Sequence, residues 1–406
     1  MALIACATCL VAQTPHEGDF VISDFKFAGG ERLPKLNLHY TTFGQPKRDA
    51  EGHVTNAVLI MHGTGGSGKQ FLVSQFHDVL FQAGQLLDAS KYYIILPDDI
   101  GHGGSSKPSD GLRGHFPHYR YADMVTAEYR LVTEGLHVDH LRLVMGTSMG
   151  CMHSWMWAER YPNRMDAVMP LACLPIPIAG RNRMFRDMLM DSIRNDPMWK
   201  NGDYKEQPAG LTGAIYMLII AGSAPIQMQK IASSPQLAAE YLARQVETRR
   251  KTTDANDLLY ATASSRDYDP SKDLEKIQAQ VMFVNSADDF INPPELGIAE
   301  REIKRVKRGK FILLPVSEQT HGHGTHTWAG VWKQYLAELL RESATTAGMK
   351  AGAPPKTAAL RRYRTDRKRL SRRYRPPQIT HAKITGNTML NNGPLTRTYV
   401  ATAPPR

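Results

Sequence analysis

Six short apolar runs, separated by longer segments with helical periodicity, constrain the fold more than any other feature of this sequence. Both the odd and the even positions of each run are apolar, which is typical of parallel strands covered by helices on both faces. Their alternation with helical segments such as residues 121–138 and 327–344 predicts a doubly wound, mostly parallel α/β sheet. The runs are residues 57–63, 92–98, 141–146, 167–172, 280–285 and 311–316.

Two segments depart from this alternation. Residues 20–44, with a turn at Gly29–Gly30, predict an antiparallel hairpin that leads into the sheet. Residues 175–269 contain helical patterns and no convincing strand, which predicts a helical lid inserted over one end of the sheet. We therefore expect a core made of residues 20–174 and 270–345, with the lid between these two parts.

The N-terminal segment, residues 1–19, has the composition of an export signal. Its residues from Ala2 to Ala12 are almost all small or apolar, and Ala12 offers a cleavage site. This pattern predicts a periplasmic or secreted protein. The positive charges that usually precede such a stretch are missing, so a cytoplasmic protein with an apolar terminus is the alternative.

The excess positive charge of the chain lies in its C-terminal segment. Residues 349–406 contain 14 Lys or Arg and one acidic residue, whereas the remaining 348 residues contain 36 basic and 38 acidic residues. Residues 346–406 are therefore predicted to form a disordered basic tail, which would attract polyanions without specificity. We expect no specific nucleic-acid partner, and no apolar run is long enough to span a membrane as a helix.

The four cysteines, Cys6, Cys9, Cys151 and Cys173, show no metal-ligand spacing. They are also too few in a chain of 406 residues to form a disulfide scaffold. We therefore expect Cys151 to pack as an ordinary core residue.

A serine between two glycines follows the third run, in the segment Gly146–Gly150. A G-x-S-x-G motif between a strand and a helix is typical of a sharp turn that exposes the serine above the sheet edge. The first amides of the helix can also stabilise a negatively charged oxygen. This context predicts Ser148 as a nucleophile, and the alternative is a structural turn with an incidental serine.

A serine hydroxyl needs a base, and the base needs an orienting acid. The loops after the last two runs carry both types of residue, at the same carboxyl edge of the sheet as the serine. Asp289, four residues before a proline, is preferred as the acid over Asp288, for which a turn cap is the alternative. His323, directly after a glycine, is preferred as the base over His321 and His326.

The amide of Met149 and one amide from residues 61–68 are expected to form an oxyanion hole, with Thr64 as the preferred second residue. His62 in the same loop is expected to be structural. No metal site is predicted, because the three histidines of the last loop have no Cys or acid at ligand spacing. No tightly bound cofactor is predicted either, since the glycines do not match a phosphate-binding loop.

Taken together, these motifs resemble the α/β-hydrolase superfamily, and more narrowly its homoserine O-acetyltransferase branch with that branch's hydrolase relatives. The resemblance covers residues 20–345. It implies that Ser148 is the nucleophile, Asp289 the acid and His323 the base, and that the protein forms a homodimer. It rests on the segments HGTGG, GHGGSS, GTSMGCMHSWMWAERYPNRMD, DPMWKNGDY, DDFINPPE and GHGTHT.

The resemblance is weaker where it concerns the substrate. Homoserine acetyltransferases carry an arginine six residues before the Asp-Pro pair of the lid, and this position is Met190 here. Arg186 and Arg194 are close in sequence, but we expect them to face other directions on the helix. The loop GHGGSSKPSDG is also shorter than its counterpart in those enzymes.

Three functions follow from these patterns. The first is an esterase-like hydrolase that acts on small acyl esters through an acyl-serine intermediate. The second is an acyltransferase that uses acetyl-CoA as co-substrate and a small alcohol such as homoserine as acceptor. The third, a non-enzymatic binding module, would require an incomplete triad or a basic folded surface, and neither is seen.

Overall fold

Eight strands form one mixed sheet in the computed structural model, which describes residues 14–351, with side chains as far as residue 344. The strand order is β1-β2-β4-β3-β5-β6-β7-β8; β2 pairs antiparallel with β1 and β4, and all other pairs are parallel. The predicted mostly parallel α/β sheet is therefore confirmed. The strands are β1 His16–Lys26, β2 Arg32–Phe43, β3 Ala57–Met61, β4 Tyr93–Pro97, β5 Leu141–Thr147, β6 Met165–Leu171, β7 Gln280–Ser286 and β8 Gly309–Leu314.

The central strands are buried on both faces, as their uninterrupted apolar sequences require. Alternate residues of β3 point to opposite sides, so that Val58 and Ile60 pack in one apolar layer while Leu59 and Met61 pack in the other. Helices cover both layers, which makes each central strand a fixed support for the loop at its end. Ten helices are described: α1 Ser74–Leu80, α2 Tyr121–Arg130, α3 Met149–Arg160, α4 Gly180–Arg194, α5 Gly210–Gly222, α6 Pro225–Ile231, α7 Pro235–Thr252, α8 Ala255–Ala263, α9 Ile298–Glu302 and α10 Ala329–Ala351.

The ends of the core differ from the predicted boundaries. Strand β1 starts at His16, four residues before the expected start of the core, and the hairpin turns at Gly30 with a φ of 95°. Helix α10 continues to Ala351, beyond the expected end at residue 345. Residues 16–19 of the predicted export segment belong to β1, and residues 346–351 of the predicted disordered tail belong to α10. The rest of both predictions, residues 1–13 and 352–406, lies outside the described residues.

Residues 172–279 connect β6 to β7, and we call them the helical insertion. The structure describes all of them; they contain helices α4–α8 and no strand. The insertion has its own small apolar cluster, in which Met190 and Leu211 are buried. No single helix among residues 14–351 is long and apolar enough to cross a membrane; α5 and α6 reach that length and composition only as a pair, across a bend of 110°.

The motif at residues 196–204 holds the helices of the insertion together. The carboxylate of Asp196 accepts hydrogen bonds from the amides of Met198 and Gly210, at the end of α4 and the start of α5. The Tyr204 hydroxyl donates to Asp254 at 2.7 Å, in front of α8. The motif therefore has a structural role that its sequence alone did not show.

Candidate active site

Ser148 lies on a strained turn between β5 and α3. Its backbone has a φ of 54° and a ψ of −105°, in a region that non-glycine residues rarely adopt. A Cβ atom at Gly146 would lie 2.1 Å from the carbonyl oxygen of Gly150, and one at Gly150 would lie 2.0 Å from that of Met61. Both positions therefore require glycine, which allows the strand and the helix to approach closely enough to lift Ser148 above the sheet edge.

The structure brings Ser148, His323 and Asp289 together through two hydrogen bonds. The Nε2 atom of His323 lies 2.9 Å from Ser148 Oγ, and its Nδ1 atom lies 2.9 Å from Asp289 Oδ2. His323 belongs to a short 3₁₀ turn after β8, and Asp289 follows β7. With the Nδ1 proton donated to Asp289, Nε2 is left as the acceptor for the serine hydroxyl.

The carboxylate of Asp289 is buried and is held in its ionised form. Its Oδ1 accepts hydrogen bonds from the amides of Ile291 at 2.8 Å and Asn292 at 3.2 Å, and its Oδ2 accepts from the Asn292 side chain at 2.9 Å. Burial raises the pKa of Asp289, but the charge of His323 and these hydrogen bonds outweigh it, so the pKa lies below the ordinary value. The group is therefore a fixed acceptor for the imidazole N–H.

The neighbouring residues that were alternatives in the sequence make other contacts and do not hydrogen-bond to Ser148. Asp288 accepts hydrogen bonds from the Ser286 hydroxyl and from the amide of Gly322 at 3.0 Å, so it braces the loop that carries the histidine. His321 stacks on the ring of Trp328, with centroids 3.9 Å apart. His326 is enclosed, and burial lowers its pKa to about 3, so it is neutral at physiological pH.

Both residues predicted for the oxyanion hole lie next to Ser148. Met149 is the first residue of α3, so its amide has no acceptor within its own helix. Thr64 follows Gly63, where a Cβ atom would lie 3.4 Å from the Cβ of Ser148. The loop therefore runs against the serine, and its use as an oxyanion hole stays a prediction.

A second buried cluster lies behind α3. The Nδ1 atom of His153 is 2.9 Å from Glu128, and the Trp157 indole donates to the same carboxylate at 2.5 Å. Burial raises the pKa of Asp99 well above its ordinary value, and the adjacent Glu128 raises it further, so Asp99 is the protonated member of this carboxyl pair. The three groups could offer ligand atoms to a metal ion. A hydrogen bond joins His153 to Glu128, whereas the side-chain oxygens of Asp99 make none with a described residue, and we assign no metal.

The orientation expected for Arg186 is wrong. It lies four residues before Met190 on α4, and residues four apart share one face of a helix. Both side chains are buried, with 4% exposure for Arg186 and 0% for Met190. A buried arginine therefore remains on this face of the insertion, one turn away from the position that carries it in the resembling acetyltransferases.

The expectation for Cys151 is also wrong, since it forms a disulfide with Cys173. The two residues are 22 apart in sequence, their Cα atoms are 5.9 Å apart, and both side chains are buried. The amide of Ser148 donates to the carbonyl of Leu171 at 2.9 Å, which holds the turn against the end of β6 and places Cys173 beside the first turn of α3. This proximity depends on the tertiary fold, so cysteine spacing could not predict it.

Loss of this disulfide is expected to destabilise the protein without removing its catalytic groups. A bridge that closes a loop of this length contributes about 3 kcal/mol to the free energy of unfolding. Cys151→Ala should lose about that amount in urea denaturation, and the double variant Cys151→Ala/Cys173→Ala should lose no more, because the bridge is lost only once. Equal stability of the reduced and oxidised wild-type protein would contradict this expectation.

Comparisons with known proteins place this chain in a family. The model of a family described as alpha/beta hydrolase fold matches residues 56–312. The chain is 27% identical to a probable acyltransferase of Methanothermobacter thermautotrophicus over 68% of its own length and 84% of that protein. It is 28% identical to a homoserine O-acetyltransferase of Pelobacter propionicus over 76% of its own length and 91% of that protein.

A solved structure has the same fold. The acetylester hydrolase from Corynebacterium glutamicum shares 20% sequence identity and a TM-score of 0.70, over 80% of this chain and 96% of that one. The family match covers more than half of the 406 residues. The chain therefore belongs to the alpha/beta hydrolase fold family, and its resemblance to the homoserine O-acetyltransferase-like branch is confirmed.

Proposed function

We propose that this protein is a serine-nucleophile acyl-transfer enzyme that hydrolyses small acyl esters through an acyl-serine intermediate. The observation that carries the proposal is the hydrogen-bonded series from Ser148 through His323 to the buried carboxylate of Asp289. The base thus lies within hydrogen-bond distance of both the nucleophile and the orienting acid, as acyl transfer through a serine requires.

In the first half of the reaction, Ser148 Oγ attacks the carbonyl carbon of the ester while its proton moves to Nε2 of His323. The ionised Asp289 stabilises the imidazolium that forms. The oxygen of the tetrahedral intermediate accepts hydrogen bonds from the amides of Met149 and Thr64. When the intermediate collapses, the C–O bond to the alcohol breaks and His323 returns the proton to the departing alkoxide.

In the second half, a water molecule takes the place of the alcohol. His323 accepts a proton from this water as its oxygen attacks the acyl carbon. The bond to Ser148 Oγ then breaks, and the serine recovers its proton from the imidazolium. The products are a carboxylic acid and the regenerated enzyme, so no cofactor is consumed.

The alternative is an acyltransferase that uses acetyl-CoA as the acyl donor, and its support is the similarity to a homoserine O-acetyltransferase. Two features favour hydrolysis. Met190 puts a buried apolar side chain at the position of the acetyltransferases' arginine. A disulfide such as Cys151–Cys173 is typical of proteins from oxidising compartments, which supports export of this protein from the cytoplasm. An exported protein would have no access to the cytoplasmic acetyl-CoA.

One pair of assays separates the two functions. The purified full chain is given 4-nitrophenyl acetate in one assay and acetyl-CoA with homoserine in the other, each with the Ser148→Ala variant as control. We expect hydrolysis of the ester that depends on Ser148, and no release of CoA that depends on homoserine. Homoserine-dependent CoA release that disappears in Ser148→Ala would replace hydrolysis with transfer as the function.

A further inference from the structure

Arg186 is a buried cation for which the described residues provide no anionic partner. Its Nε donates to the side-chain oxygen of Asn182 at 2.9 Å, and one terminal nitrogen donates to the hydroxyl of Ser265 at 3.1 Å. Both acceptors are neutral. Because a buried guanidinium is costly unless an anion compensates it, this arrangement is incomplete without a negatively charged ligand.

Two further polar groups beside Arg186 have unused hydrogen-bonding capacity. The hydroxyl of Tyr121, a residue only 1% exposed, faces Thr64, Arg186 and Ser265, yet it makes no well-formed hydrogen bond with a described residue. The hydroxyl of Thr64 is likewise buried without a partner. A guanidinium and two hydroxyls therefore converge, each with donors left for a ligand.

The electrostatic surroundings favour an anion at this point. Arg183, three residues earlier on α4, interacts unfavourably with both Arg186 and Arg266, so the local charge is positive. Asp187, on the same helix, offsets part of the charge of Arg183. It forms no ion pair with Arg186, whose side-chain partners are the neutral groups described above.

The cluster is connected to the nucleophile through the loop that follows β3. Thr64 is adjacent to Gly63, which packs against Ser148, and the Thr64 side chain faces Tyr121. When the carbonyl of an ester lies at Ser148, the cluster therefore lies on the side of that ester that faces the helical insertion. Under the proposed function the acyl group is small, so the group that reaches the cluster belongs to the alcohol part of the ester.

We infer that Arg186 and the Tyr121 hydroxyl bind a carboxylate on the alcohol part of the substrate, which makes acetyl esters of hydroxy acids the preferred class. One guanidinium with part of its donors already used suits a monoanion better than a dianion such as phosphate. The described cluster contains no carboxylate that could pair with an ammonium group. Esters of plain hydroxy acids should therefore be preferred to those of amino acids.

Three esters with one carbon skeleton test this inference, which rests on the proposed function. They are 4-acetoxybutanoate, its uncharged amide 4-acetoxybutanamide, and O-acetylhomoserine, which adds an ammonium group to the first. For the wild-type protein we expect kcat/KM for 4-acetoxybutanoate to exceed that for the amide by about 100-fold, because a buried charge is left unpaired by the amide. The kcat/KM for 4-acetoxybutanoate should also exceed the kcat/KM for O-acetylhomoserine by about 10-fold.

The variants assign the preference to one residue. In Arg186→Gln the ratio of kcat/KM between the acid and the amide should fall to about 1, and in Arg186→Lys it should lie between the two values. Arg183→Gln is the matched control, since it removes an arginine of the same helix whose hydrogen bonds go only to the backbone oxygens of Ile178 and Arg266. Because Arg183 adds to the local charge but donates no hydrogen bond to the cluster, the ratio in Arg183→Gln should fall by no more than about 5-fold, far less than in Arg186→Gln.

A binding measurement covers the case in which the Arg186 variants do not fold. Ser148→Ala should hold the ester without cleaving it, and 4-acetoxybutanoate should raise its melting temperature while the amide should not. The inference is overturned if the wild-type ratio of kcat/KM between the acid and the amide is near 1, or if the preference for the acid persists in Arg186→Gln. Hydrolysis of 4-nitrophenyl acetate would in that case still uphold the proposed function. Absence of all ester hydrolysis would instead overturn the proposed function.

Discussion

Ser148→Ala or His323→Ala is expected to reduce the turnover of 4-nitrophenyl acetate by about 10⁴–10⁶-fold. Without Oγ of Ser148 no acyl-serine can form. Without the imidazole of His323, whose Nε2 lies 2.9 Å from Oγ, no base takes the proton of the serine hydroxyl. Because the groups act as one unit, the double variant should be no slower than either single variant. Steady-state hydrolysis rates, with circular dichroism as a check on folding, measure both effects.

The adjacent acids provide a matched control for this prediction. Asp289→Asn removes the charged acceptor of His323 and should lower turnover by about 10⁴-fold, since the imidazole is then held in the wrong tautomer. Asp288→Asn alters only the hydrogen bonds with Ser286 and Gly322 and should be mild. A fluorophosphonate probe should label the wild type at Ser148, so labelling of Ser148→Ala, or a stronger effect at Asp288, would refute the assignment.

Gly150→Ala is expected to lower the free energy of unfolding by about 2–3 kcal/mol. The added Cβ would lie 2.0 Å from the backbone oxygen of Met61, and neither the first turn of α3 nor the end of β3 can move independently. The amide of Gly150 also donates to the backbone carbonyl of His62 at 2.9 Å, a bond that the displaced helix would lose. Urea denaturation of the variant and the wild type measures the difference.

Gly330→Ala is the control, because Gly330 is likewise the second residue of a helix, α10. A Cβ there would have nothing within 4 Å, so the higher helix propensity of alanine should leave stability unchanged or raise it by up to about 1 kcal/mol. If Gly150→Ala were as stable as Gly330→Ala, the close approach of strand and helix would not be what requires glycine at position 150.

The central sheet and the sharp turn at Ser148 could be predicted because their causes are local. A strand buried on both faces is apolar at most positions. All six parallel strands, including the partly exposed β8, lie within two residues of their predicted bounds. The edge strand β1 is mostly exposed, so its pattern is weak and its start was placed four residues late. The turn at Ser148 was predictable because Gly146 and Gly150 both contact backbone atoms closely.

What the sequence could not predict depends on neighbours that are distant in the chain. Asp288 and Asp289 are adjacent, and only the packing of the loop after β7 decides which carboxylate meets His323. The partner of Cys151 follows from the position of the turn against the end of β6. Arg186 is buried because its side chain lies against Tyr121, the first residue of α2, and Ser265, just after α8. No helical periodicity marks a buried arginine as different from a solvated one.

The residues proposed to carry out the reaction and the residue proposed to select the substrate lie in different parts of the chain, so they can change separately in evolution. Ser148 precedes residues 172–279, while Asp289 and His323 follow them, and all three are fixed by strands and loops of the sheet. Helix α6 of the insertion braces the loop that precedes His323, because the Gln227 side chain donates to the carbonyls of Glu318 and Thr320. Substitutions on α4 can therefore accumulate in a lineage with less effect on the reacting atoms than substitutions on α6. Arg186 belongs to α4, so we expect acceptor preference to diverge among descendants long before the acyl-serine reaction is lost.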